Sequence, residues 1–124
     1  MQHLPGNWYN LPTRTVNFTK VSSTSKVRIT LQDTLGSKAT TIGGCLWRFM
    51  MNSDLNPVAQ FSDSDADGNL AWRMHNGAHV AWVFNLPAGP HQVRVENFKT
   101  TASFECWTGY NTATSNFISV EEIP

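Results

Sequence analysis

The tightest constraint on this chain is the stretch from His79 to Asn97, where side chains repeat with period two on either side of a dense turn signal. Val80, Trp82 and Phe84 alternate with Ala81 and Val83; Pro87-Ala88-Gly89-Pro90 interrupts; Val93 and Val95 then alternate with Gln92, Arg94 and Glu96. Period two is the strand repeat, because successive side chains leave opposite faces of an extended backbone. The stretch predicts a β-hairpin. Its first arm is apolar at both parities, which predicts a strand covered on both faces, while the return arm has one wet face.

The rest of the chain extends this reading. Met1 to Pro12, with Pro5, Gly6 and Pro12 around Trp8 and Tyr9, predicts an irregular arm held by its aromatics, and residues 13–124 predict a single domain. Thr13 to Phe18 is β-branched and alternating. Lys26 to Gln32 is the clearest one-sided strand, with Val27, Ile29 and Leu31 on a dry face and Lys26, Arg28, Thr30 and Gln32 on a wet one. Asp33 to Gly43 reads as a loop, Gly44 to Met51 as a central strand, Val58 to Phe61 as a short strand and Ser62 to Asn69 as an acidic loop. Asn76-Gly77, which tolerates positive φ, predicts a second hairpin between Leu70 to Met74 and His79 to Leu86. Phe104 to Thr108 and Phe117 to Ile123 complete the set, with Ile118 and Val120 pointing inward. Helical spacing fails almost everywhere, and roughly nine short strands at this spacing predict an all-β, antiparallel β-sandwich.

Composition excludes some partners. The formal net charge is zero and only 15% of residues are charged, so the chain lacks the broad positive field that nonspecific nucleic-acid binding needs. No apolar run approaches the roughly 20 residues that span a bilayer, which predicts no membrane insertion. The N-terminus lacks the basic-then-apolar pattern of a secretory signal. Cys45 and Cys106 both fall in expected strands with apolar neighbours. They can be joined across the sandwich or remain two buried thiols, and the sequence leaves both open.

Three segments together resemble one family. Phe18-Thr19-Lys20-Val21-Ser22-Ser23-Thr24-Ser25-Lys26-Val27-Arg28-Ile29 resembles the opening of many phage tail-fibre and virion-associated tip domains. Leu86-Pro87-Ala88-Gly89-Pro90-His91-Gln92-Val93-Arg94-Val95 is similar to their glycine-led strand, and Phe117-Ile118-Ser119-Val120-Glu121-Glu122-Ile123 to their last one. Those domains are similar to the jelly roll of complement and tumour-necrosis-factor trimers. The resemblance touches both ends of the chain and leaves Leu35 to Asn76 uncovered. It implies a homotrimeric jelly roll at a virion or extracellular surface, its subunits burying an apolar face along a threefold axis. Its partners would be copies of itself, with a cell-surface glycan or another particle protein beyond them.

Four groups of residues could carry chemistry. Asp63, Asp65 and Asp67, with Gly68, reproduce the first half of a calcium loop, but Met74 stands where a closing bidentate Glu belongs, and a solvated acidic turn outranks the calcium site. Metal ligation by His75 and His79 with His91 would need three convergent imidazoles or a carboxylate, and surface or partner-facing histidines are the default. Trp72, Trp107 and Tyr110, near expected loops, offer platforms for sugar rings, with Asn111 as a hydrogen-bonding neighbour; Trp47 and Trp82 fall on core positions and are expected to be buried. Glu121 and Glu122 are adjacent on a strand and face opposite ways, and no nucleophile or phosphate-loop motif is present. The chain is therefore read as a non-catalytic structural and adhesive module. The alternative is a small metal-dependent or glycan-active enzyme using His75, His79 or the Asp63 to Asp67 loop.

Overall fold

The strictest alternation in the sequence becomes the spine of one sheet. The computed structural model describes residues 7–38, 43–65, 72–100, 105–109 and 116–124, with the backbone alone at 43, 63–65 and 72–76. Among the described residues there is no helix, and eight strands follow in order: β1 (Tyr9–Lys20), β2 (Lys26–Lys38), β3 (Gly43–Met51), β4 (Ala59–Asp65), β5 (Trp72–Val83), β6 (Gly89–Lys99), β7 (Glu105–Thr108) and β8 (Phe117–Ile123). Sheet A has the order β1-β6-β3-β4. Sheet B is built on β2: β5 pairs with it from Val27 to Lys38, while β8 and β7 share its other edge, β8 along Lys26–Gln32 and β7 along Leu35–Lys38. Every pairing is antiparallel.

The two sheets face each other across an apolar core. Val27, Ile29, Leu31 and Leu35 of β2 meet Cys45, Trp47, Phe49 and Met51 of β3 and Val93 and Val95 of β6, with Ile118 and Val120 of β8 packed alongside. Alternation puts these residues inside and their neighbours outside, so the dry and wet faces expected of Lys26 to Gln32 are the faces found. Cys45 and Cys106 form a disulfide between the sheets, with Cα atoms 5.9 Å apart. The Trp47 indole Nε1 donates to Thr108 Oγ1 at 2.9 Å, tying β3 to β7 at the same place.

Beside that contact, Arg14 of β1 reaches across to Asp33 of β2. Nε donates to Oδ2 at 2.5 Å and Nη2 to Oδ1 at 3.3 Å, and the Asp33 side chain is completely buried. Gly109 has φ +73°, and a Cβ there would lie 2.8 Å from Arg14 Nη2, so glycine keeps the space that the guanidinium fills.

Several expectations are corrected. β5 and β6 do not form a hairpin, since β5 belongs to sheet B and β6 to sheet A. The connection arches over the end of the sandwich: Asn85 (φ 63°) and Gly89 (φ 122°) take positive φ, and Leu86 between them is buried in the core. Burying Leu86 contributes about 2 kcal/mol, which favours crossing between layers over a tight turn in one sheet. Asn76-Gly77 makes no reversal either, because β5 runs straight through it, opposite Thr34 and Asp33. A twelve-residue ladder along β2 overrides the local turn preference of two residues. The expected loop from Asp33 onward is strand as far as Lys38, buried from Asp33 to Ser37. β1 begins at Tyr9, so the last part of the stretch expected as an irregular arm is paired strand.

Candidate functional site

Sheet B turns one face to sheet A, and alternation sends the other side chains of its strands outward. Register places three rows across that outer face: Trp82–Arg28–Glu121, Val80–Thr30–Ser119 and Ala78–Gln32–Phe117. Lys26 and Ile123 make the next row, beside Phe84 at the end of β5. A wet face should be polar, yet Val80 is 51% exposed, Trp82 40%, Phe84 64% and Phe117 49%. Val80, Trp82 and Phe84 line up along β5 and its end, with Phe117 across β2 on β8. Exposed apolar side chains gathered in a band on one sheet face mark an interaction surface more often than a catalytic cleft.

Basic side chains hold the centre of the band. Lys26 Nζ lies 5.5 Å and the Arg28 guanidinium 5.7 Å from the Trp82 ring centroid, both in cation–π contact. Arg28 Nη2 donates to Glu121 Oε2 at 2.6 Å, while its Nε is shut away from solvent with no hydrogen-bond partner. The indole is thus held by two basic side chains of β2 while Trp82 keeps much of its surface exposed. This surface can pack against another apolar surface or carry the C–H face of a planar ligand.

Glu122 points the other way from Glu121, as adjacent strand residues must. Its carboxylate accepts from the Ser25 hydroxyl at 2.5 Å and from the backbone N–H groups of Val21 and Ser22 at 2.8 and 2.7 Å, pinning the β1–β2 turn to β8. Those three donors, led by Ser25 and helped by the Lys20 charge, hold the carboxyl at about 2, below its ordinary 4.5. A folded-state value below the unfolded one stabilises the fold above the unfolded value and ceases to do so as pH falls through the folded one. We therefore predict that the melting temperature falls between pH 4.5 and about 2, and that Glu122→Gln, which lacks this titration, shows a shallower fall in a pH series of thermal melts.

The residues singled out in the sequence are only partly gathered here. Trp107 is half-buried on β7, opposite Gly36; because Cys106 turns inward to Cys45, Trp107 takes the outer face, four positions along β2 from the Gln32–Phe117 row. Trp72 occupies the position opposite Lys38. Tyr110 and Asn111 lie outside the described residues. Asp63 and Asp65 are on β4, opposite Cys45 and Gly43, in place of the expected turn, and Asp67 lies outside the described residues.

His75 pairs with Leu35. His79 turns inward and stacks on Phe61 with ring centroids 4.0 Å apart, whereas His91 packs against Phe18 at the opposite edge of sheet A. Among the described residues, no three His, Cys, Asp or Glu side chains stand close enough to share a metal ion.

Sequence reasoning missed Trp82, Val80 and Phe84. Trp82 is not buried as expected, nor is β5 covered on both faces within one chain. The signal was present: a strand apolar at both parities needs two covers, and a two-layer sandwich supplies one. No protein-family model matches this chain, and neither a curated protein nor a solved structure matches it.

Proposed function

We propose that the chain is a non-catalytic structural and adhesive module that assembles as a homotrimer through the outer face of sheet B. The observation that carries this reading is the exposed band of Val80, Trp82, Phe84 and Phe117, an apolar surface that a subunit leaves open and copies of itself would cover. The path of the chain supports a jelly-roll wrap, since it changes sheets after β1, β2, β4, β5 and β6. The resemblance of both ends of the sequence to phage tail-fibre and virion-associated tip domains supports a threefold arrangement on a phage or similar particle. The Cys45–Cys106 disulfide supports an oxidising exterior, the virion or extracellular surface. In this reading the assembled module contacts a cell-surface glycan or another particle protein.

Light scattering on the purified chain should return the mass of three subunits. Trp82→Glu and Val80→Glu should each return one subunit, with the β-type circular dichroism unchanged. A wild-type monomer at micromolar concentration would remove the proposal.

A further inference from the structure

On the opposite side of the sandwich, at the end where β6 begins, Asn17, Thr19, Asn52, Pro90 and Gln92 border an open cleft of about 600 Å³. We propose that this cleft binds a neutral pyranose unit of a glycan, a proposal that rests on the adhesive part of the reading above and gives it a site.

The first argument is preorganisation. Asn52 follows β3 with φ 53°, an αL conformation that asparagine tolerates. Its backbone N–H donates to Gln92 O at 2.8 Å and its side-chain Oδ1 accepts from Gln92 N at 2.8 Å, so the residue extends the β3–β6 ladder by one rung. Those bonds fix the amide orientation. Nδ2 must then donate to His91 Nδ1, 2.9 Å away, which places the imidazole proton on Nε2, where it is donated to Pro87 O at 2.7 Å. Arg94 Nη1 holds the Asn52 carbonyl at 2.5 Å. The floor is rigid before any ligand arrives, which lowers the ordering cost of binding.

The second argument is the chemistry left free. Asn17 and Gln92 are cross-strand partners, and Gln92 Nε2 donates to Asn17 Oδ1 at 3.0 Å. That bond joins the two amides and leaves Asn17 Nδ2 as donor and Gln92 Oε1 as acceptor on the same pair, each without a protein partner among the described residues. A donor and an acceptor on one pair match two vicinal hydroxyls of a sugar ring, each of which gives one hydrogen bond and takes another. Thr19 and Pro90 are paired next along the ladder and both exposed, adding a hydroxyl and an apolar ring edge for the sugar's C–H face. No Asp, Glu, Lys or Arg lines the cleft, and His91, which lines it with Phe18, has both ring nitrogens engaged by Asn52 and Pro87 O, so a phosphate, carboxylate or ammonium ligand finds no free counter-charge there.

The test is a heteronuclear NMR titration of the whole chain with the methyl pyranosides of galactose, glucose, mannose and N-acetylglucosamine, and with inorganic phosphate as the charged probe. At least one pyranoside should shift the Asn17 and Gln92 side-chain amide signals and the Asn52 backbone signal saturably, and phosphate should not. Asn17→Ala and Gln92→Ala, both surface changes, should each weaken that affinity roughly tenfold, the worth of about one well-made hydrogen bond. Thr19→Trp, filling the cleft from an exposed position, should abolish it. Saturable sugar shifts that map to the outer face of sheet B, or to residues 105–109, would keep the adhesive reading and overturn this site. Phosphate binding in the cleft would overturn the ligand class. If no pyranoside shifts any signal, the site and the adhesive reading fall together, while the assembly measured by light scattering stands on its own.

Discussion

Asp33→Ala will lower the unfolding free energy by about 3–5 kcal/mol, because it leaves the Arg14 guanidinium, whose side chain is only 14% exposed, without its counter-charge. Arg14→Ala should do as much from the other side, stranding a carboxylate whose one other close donor among the described residues is the Thr34 backbone N–H at 2.9 Å. The mechanism is the desolvation of a lone charge rather than the loss of a strong bond, which makes a second expectation sharper. The double variant Arg14→Leu with Asp33→Leu should be more stable than either single alanine variant, since two apolar side chains leave no charge behind. Urea titrations of the three proteins decide it. Single variants within about 1 kcal/mol of wild type would show that water reaches the pair and that the charges are not isolated.

Opening the Cys45–Cys106 bond will have the other large effect. The bridge closes a loop with a sequence separation of 61, for which chain-entropy reasoning gives about 4 kcal/mol. For a domain of this size that corresponds to a fall of roughly 15 °C in melting temperature. Cys106→Ser should show the fall without reductant, wild type should show it only with reductant, and the variant should ignore reductant. Scanning calorimetry gives all of these directly. If reduced wild type melts within a few degrees of the oxidised protein, the sheets are held together by Trp47, Thr108 and their apolar neighbours rather than by the covalent link.

What could be read from the residues, and what could not, divides along a physical line. Lys26 to Gln32 and Phe117 to Ile123 were legible because one-sided burial imposes a strict alternation, and the all-β class followed from the same period. Which sheet each strand joins was not legible. The signal that predicts a hairpin at Pro87 to Pro90 is also the signal of an arch between layers, and the difference lies in whether Leu86 finds a core to enter. Asn76-Gly77 misled because turn preference is a local quantity, whereas β2 offers β5 twelve consecutive partners brought together only by the fold. Asp33 was hidden because a carboxylate normally marks solvent, and nothing in sequence announces that Arg14 waits across the core. The candidate surface was half legible: the double apolar parity of β5 called for a second cover, and assigning that cover to the same chain led to the mistaken burial of Trp82. The Asn52 clamp leaves no mark at all, since it joins residues forty positions apart through a side chain standing in for a ladder rung.

The way β7 and β8 divide one edge of β2 has a consequence for biosynthesis. β2 and β5 can meet as soon as both have left the ribosome, but the free edge of β2 keeps open N–H and C=O groups until Glu105–Thr108 and then Phe117–Ile123 have been translated. An open edge recruits any strand it encounters. A nascent chain that stops short of β7 therefore exposes that edge along its whole length, and the edge is closed only once β8 has been made.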